Sequence, residues 1–158
     1  MKIYDVAFIG MGASALATAK LNYEGTSHSL IGIDKEYHNK RNNFFAFWMT
    51  DWMENFSNLA QKKWFNWEFY LANECILHET KDLPYCTIRF QDWKKYCLDN
   101  LENLSIKTLN VQSISNLEKY FEIELENGER IFARKIYDSR TPKLDENKVK
   151  QHFFGYLI

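Results

Sequence analysis

Gly10, Gly12 and Ala15 stand in the order Gly-x-Gly-x-x-Ala within "YDVAFIGMGASALATAK", residues 4 to 20. Residues so spaced can hold a pyrophosphate. The first glycine makes a tight turn, the second lets the backbone approach phosphate oxygens, and the small third residue keeps a helix close to its strand. Amides near Ala13 and Ser14, at the start of that helix, would meet the negative charge. Asp34 follows 24 residues after Gly10, at the end of "HSLIGIDK", close to the spacing at which a carboxylate accepts hydrogen bonds from an adenosine ribose. Plainer readings stand beside these: a simple strand-to-helix turn for the glycines, and a strand-end cap for Asp34.

The elements that would position these groups are legible in outline. Val6 to Gly10 can form a strand buried on both faces, and Ala15 to Leu21 continues as an Ala-rich helix. With "HSLIGIDK" as a second strand the unit is βαβ, for which parallel pairing through a right-handed crossover is expected. Residues 35 to 43 form a polar loop; "FFAFWMTDWMENF" is ambiguous between an apolar turn and a short helix; residues 59 to 67 admit a helix. "WEFYLANECIL" reads as one strand, and "YCTIRF" after Pro84 as another. From Asp92, a plausible N-cap, Trp93, Tyr96, Cys97, Leu101 and Leu104 recur at helical spacing. Farther on, Phe121, Ile123 and Leu125 face one way, and Asn127-Gly128 marks a hairpin whose return strand, "RIFARKIYDS", can run on into the parallel sheet. The fold class is α/β, a βαβ unit at 3–35 with an inserted aromatic-rich and β region at about 44–135.

Composition narrows the function. A chain of 158 residues is one domain's worth. A net charge of -1 and a pI near 6.4 give no footprint for nucleic acid. Aromatic residues make up 16%, with five Trp, a surplus that fills a core or suits a long apolar ligand or a contact surface. Cys75, Cys86 and Cys97 have no CxxC pairing, and Cys75 with His78 offers two metal ligands without a second pair, so no metal is expected. No stretch reaches the roughly 18 apolar residues of a spanning helix, and the start lacks a signal-peptide pattern. A cytoplasmic location is therefore expected. The apolar closing run "QHFFGYLI" points to a fragment or an early-terminated reading frame.

In order along the chain, "YDVAFIGMGASAL", "LIGIDK", "FAFW" at 45 to 48, "KKWFNWEFY", "LPYCTIRFQDW" and "QHFFGYLI" resemble the flavin-dependent lycopene β-cyclases, which share a glutathione-reductase-like architecture. The first mark is common to many flavoproteins, whereas "FAFW" and "QHFFGY" are more specific. Two departures stand out. Asn43 occupies the place of the Arg that normally precedes the Phe-Trp run, with Arg41 displaced, and Ser139-Arg140-Thr141 replaces an Arg-Gly near Asp138.

The resemblance implies a Rossmann-like FAD/NAD(P)-binding domain, of which this chain is the N-terminal portion. FAD in its reduced form would be held by Gly10, Gly12, Ala13, Ser14, Ala15, Asp34 and Lys35, joined by Arg89 beside the flavin's phosphate or ribityl chain and by Arg140. For Arg89 the plainer reading is a surface ion pair with Asp92 or Glu79. Phe45, Phe47 and Trp48 would line a polyene tunnel or shield a carbocation, with weaker claims for Trp52, Trp64 and Trp67; each can equally be core. His152, in the end block, can simply cover the sheet. The implied activity is a non-redox ring closure of lycopene or a related acyclic carotenoid, with NADPH only keeping the flavin reduced and peripheral contact with a membrane. The acid that protonates lycopene is expected beyond Ile158, so the isolated chain is expected to be inactive. Rival readings are a fragment of another FAD-dependent oxidoreductase or monooxygenase, and a non-catalytic remnant.

Overall fold

The computed structural model describes residues 2–39 and 43–140, the side chain of Trp52 excepted. Strand β1 (Ile3–Ile9) leads into helix α1 (Ala13–Tyr23) and strand β2 (Leu30–Ile33). The residues between β2 and α2 (Phe90–Leu98) build β3 (Phe44–Trp48), a 3-10 stretch at Asp51–Leu59, β4 (Ala60–Trp64), the pair β5 (Asn66–Leu71) and β6 (Glu74–Glu79), and β7 (Tyr85–Arg89). Beyond α2 come β8 (Leu104–Lys107), β9 (Val111–Asn116), β10 (Phe121–Leu125) and β11 (Arg130–Asp138).

Among the described residues the main sheet runs β8-β2-β1-β11-β10-β9. β1 lies between β2 and β11 and is parallel to both, so the anticipated extension of the last hairpin into the parallel sheet is present. Burial on both faces explains the unbroken apolar run of β1. Val6 and Phe8 enter the core under the helices, while Ala7 and Ile9 enter the opposite core with Ile31, Ile33, Ile123 and Leu125. Each such fully buried large side chain contributes about 1.5–3 kcal/mol. Helix α1 packs on α2. Lys20, only 8% exposed, closes that seam: its ammonium reaches Glu24 at 2.6 Å and the carbonyl of Asp99 at 2.9 Å.

Four expectations are corrected. Residues 59–67 are not helical; β4 and the start of β5 occupy them, and β4 pairs with β7. "WEFYLANECIL" is not one strand but most of the β5-β6 hairpin, turning at Ala72 with φ 52°. "FFAFWMTDWMENF" splits into strand β3 and the 3-10 stretch. Helix α2 begins at Phe90 with Arg89 as N-cap, so Asp92 lies in the first turn, and the helix ends at Leu98, leaving Leu101 and Leu104 outside it. For β3, β4, β5 and β6, and for Leu104 in β8, pairing with a neighbouring strand overrode weak local preference.

Candidate functional site at the carboxyl end of the first strand

The carboxyl ends of β1, β2 and β11 meet where β1 hands the chain to α1 on one side and receives β11 on the other. A switch point of this kind leaves a crevice in an open α/β sheet. Gly10, at φ 79°, makes the turn out of β1, and its amide donates to Ile33 O at 2.8 Å. A Cβ on Gly10 would stand 2.8 Å from Ser139 Oγ. That hydroxyl binds the carbonyls of Ile9 at 3.0 Å and Gly10 at 2.8 Å, clamping the turn to the end of β11.

Gly12 differs in kind. It is the N-cap of α1 with an ordinary φ of -77°, it is exposed, and among the described residues nothing lies within 4 Å of a Cβ built upon it. Among the described residues nothing requires glycine there, and a glycine so placed leaves the helix N-terminus open to close approach. The first turn of α1 carries no acidic residue, which leaves its amide end electropositive. Ala13 and Ser14 begin that turn, and Ala15, 3% exposed, seats the helix on the sheet.

Asp34 lies at the mouth of the same crevice. Its Oδ2 accepts the amide of Met11 at 2.8 Å and its Oδ1 the amide of Glu36 at 2.8 Å. The carboxylate is therefore a strand-end cap that also ties down the glycine turn, and each oxygen keeps a lone pair for a further donor. Lys94 from α2 closes the rim: its ammonium meets Tyr37 O at 2.5 Å and lies 3.5 Å from the centre of the Tyr37 ring. Burial holds Lys94 below the ordinary lysine range, opposed by the charge of Asp34. Lys35 is exposed beside this cluster.

The two arginines have different surroundings. Arg140 is bound by Asp138 at 2.7 Å, and this pairing first of all lowers the Asp138 carboxyl below its ordinary range. Arg89 caps α2, is exposed, and places its guanidinium 5.7 Å from the centre of the Phe44 ring. Phe45, Phe47 and Trp48 do not form one wall. Phe45 and Phe47 point towards α1, where with Ala17, Met53, Phe56 and Trp93 they line an apolar cavity of about 230 Å³. Trp48 points to the other side of β3, against Tyr85 and Trp67. Cys75 and His78, three apart on β6, project to opposite faces of the hairpin. Arg41 and His152 lie outside the described residues, as does the Trp52 side chain.

Three contributors were not singled out from the sequence. Trp93 donates its indole N–H to Ala13 O at 3.1 Å, fixing α2 to the first turn of α1. Gly32 makes room for Met11, whose Sδ would be 2.6 Å from a Cβ there. Ser139 is the third. A glycine inside an apolar strand is a readable sign of close approach, whereas the other two depend on contacts 80 and 130 residues apart.

The sequence profile of the family described as Lycopene cyclase protein matches residues 5–158. The chain belongs to that family. No curated protein matches it. Among solved structures it is similar to halogenase PltM, at 15% identity and a TM-score of 0.67 over 89% of this chain and 36% of that one. It is also similar to tetracycline destructase Tet(51), at 19% identity and a TM-score of 0.56 over 87% of this chain and 39% of the other. A flavoprotein/dehydrogenase from Cytophaga hutchinsonii gives 19% identity, a TM-score of 0.57 and the same coverages, 87% and 39%. PltM has been seen in complex with phloroglucinol and FAD. The chain thus spans little more than a third of these proteins' lengths. The likeness establishes the fold expected from the sequence, a Rossmann-like α/β domain of the kind found in flavoproteins. Among the described residues no helix is long and apolar enough to cross a membrane.

Proposed function

We propose that this chain is the dinucleotide-holding portion of a lycopene-cyclase-type flavoprotein and that the crevice at Gly10–Ala15 and Asp34 takes FAD. The observation that carries the proposal is Gly12, a glycine with free space over it, at the amide end of a helix and beside an acid anchored to the same turn. In this reading Gly10 makes the turn, Gly12 admits the pyrophosphate, and amides at Ala13 and Ser14 bind it. Ala15 keeps α1 in place, and the free lone pairs of Asp34 accept the ribose hydroxyls. Lys35 adds charge at the rim, and Arg89 reaches the flavin side from the start of α2. Arg140 acts through Asp138, to which it is paired. The family resemblance supports a lycopene-like acyclic carotenoid as substrate, a reduced flavin with NADPH as reductant, ring closure through protonation and a carbocation with no net redox change, and a membrane-peripheral setting. Bound flavin would supply the reduced ring system beside the substrate; the residues of this chain hold and orient it.

Equilibrium binding of FAD to the 158-residue chain, followed by flavin fluorescence, tests the reading. Saturable binding is expected, weakened at least tenfold in Asp34→Ala. An Asp34→Ala variant that folds and binds FAD as well as the unaltered chain overturns the assignment. The same preparation, given lycopene, FAD and NADPH, is expected to yield no β-carotene, because the resemblance assigns the proton-donating acid to a region beyond residue 158.

A further inference from the structure

The three-stranded sheet β3-β7-β4 has two unlike faces. On the core side Cys86 and Ile88 are fully buried, with Phe45 and Phe47 beside them. On the other side Trp48, Tyr85 and Trp64 stand in register across the three strands. The Trp48 and Tyr85 rings are 4.8 Å apart, those of Tyr85 and Trp64 6.2 Å, and Trp67 of the hairpin joins Trp48 at 6.2 Å. Trp48 remains 48% exposed and Trp64 37%. Beyond Trp67 the same hairpin face continues through Phe69 and Ile76, each 56% exposed. Of the eleven exposed large hydrophobic side chains among the described residues, nine lie between Trp48 and Leu83. Of these, Trp48, Trp64, Phe69, Leu71 and Ile76 share this face, while alternation sends Tyr70 and Leu77 to the opposite face of the hairpin; apolar exposure gathered on one face marks a binding surface.

Register gives the surface a shape. Two residues along from the Trp48–Tyr85 pair comes Ala46 opposite Thr87, and two further comes Phe44 opposite Arg89. On β3 and β7 a floor of small side chains therefore separates the aromatic wall from the Phe44–Arg89 pair by about 13 Å along the strands, and on β4 the exposed Lys62, in register with Thr87, continues the row. Such a trough crosses the strands and suits a long, thin, flat ligand. Its aromatic wall presents π faces, whose negative potential complements a cation formed on that ligand. Arg89, proposed above to reach the flavin, closes the opposite side, which would bring cofactor and ligand to one sheet face.

We infer that the Trp48–Tyr85–Trp64–Trp67 face is a binding surface for an extended conjugated hydrocarbon, distinct from the cavity under Phe45 and Phe47. The inference rests on the carotenoid substrate class of the cyclase-family reading and assigns it a surface. Lycopene is achiral, so its visible band gains circular dichroism only when an asymmetric environment holds it. The test titrates the 158-residue chain with lycopene in mild detergent micelles. The unaltered chain is expected to induce a band, weakened at least fivefold in Trp64→Leu and in Trp67→Leu, restored by Trp64→Phe, and unchanged within twofold in Phe45→Leu. Far-ultraviolet dichroism and cooperative melting confirm that each variant folds. No induced band with the unaltered chain, or full binding by Trp64→Leu, overturns the inference. A band lost in Phe45→Leu and kept in Trp64→Leu also overturns it, moving the hydrocarbon to the other cavity. FAD titrations of the same samples separate the two readings: flavin binding without lycopene binding sinks this inference alone, and a Trp64-dependent band without flavin binding sinks only the cofactor assignment.

Discussion

Replacing Gly12 and Gly10 by alanine, one at a time, separates a glycine required by a ligand from one required by the fold. At Gly12 the backbone is ordinary and a Cβ meets nothing within 4 Å. The cost to stability is then that of alanine at an N-cap, about 1 kcal/mol or less, a fall of roughly 2–4 °C in melting temperature for a chain of this size. A bound pyrophosphate would meet that Cβ, which stands about 1.5 Å off the backbone. Losing one charge-assisted amide contact costs about 1.5–3 kcal/mol, or roughly ten- to a hundredfold in Kd for FAD. Gly10 behaves in reverse. A left-handed φ costs alanine about 1–2 kcal/mol, and the clash at 2.8 Å with Ser139 Oγ disturbs two hydrogen bonds at once. Gly10→Ala should therefore melt some 5–10 °C below the parent chain. The assay is paired: thermal melting without flavin, and fluorescence titration with FAD. Gly12→Ala binding FAD within twofold of the parent, or melting as early as Gly10→Ala, refutes the reasoning.

The three thiols should separate by burial. Cys97 is pushed up to about 12 and Cys86 also upward, both first by desolvation, while Cys75 is exposed on the hairpin. A disulfide reagent at pH 8 should label one thiol quickly in the native chain and three after unfolding; quick labelling of two or more native thiols contradicts the packing of α2. In acid, Asp5, held down chiefly by the Ser29 amide and then its hydroxyl, and Asp138, held down chiefly by Arg140, both have folded pKa values below the unfolded one. Their stabilisation is present above about pH 4 and is lost as pH falls through the folded values. The melting temperature of Asp5→Asn should accordingly fall less between pH 5 and pH 2.5 than that of the parent, and an equally steep fall would count against the Ser29 bonds. Trp93→Phe keeps a ring between Phe45 and Phe56 but removes the donor to Ala13 O. A loss of about 1 kcal/mol and weaker FAD binding are expected, and an unchanged melting temperature would show that the bond contributes nothing.

Much of the site was readable because its parts are local. The Gly10–Ala15 spacing, the apolar β1 and β2 and the acid after β2 all follow from rules that operate within about 30 residues. The Asn127-Gly128 hairpin was equally legible: Gly128 sits at φ 81° between β10 and β11. The largest misreading was the region from 59 to 79, where exposed residues of mixed polarity carry little periodic signal and the pairing of β4 with β7 and of β5 with β6 decided the outcome. Phe45, Phe47 and Trp48 illustrate the same limit at the level of function. Their aromatic character was plain in the sequence, but alternation along β3 sends two to the α1 cavity and one to the aromatic trough.

The sequence by itself determined the βαβ unit, its glycine turn, its acid and the family resemblance, since short-range spacing specifies each of them. Only the tertiary structure distinguished the two glycines, because a Cβ on Gly10 meets Ser139 from 129 residues away while one on Gly12 meets none of the described residues. Only it tied Asp34 to Met11, Trp93 to Ala13, and three aromatic residues on separate strands into one row. Such contacts follow from sheet register and from the packing of α2 on α1, and these are settled by burial across the whole domain, not by any local pattern.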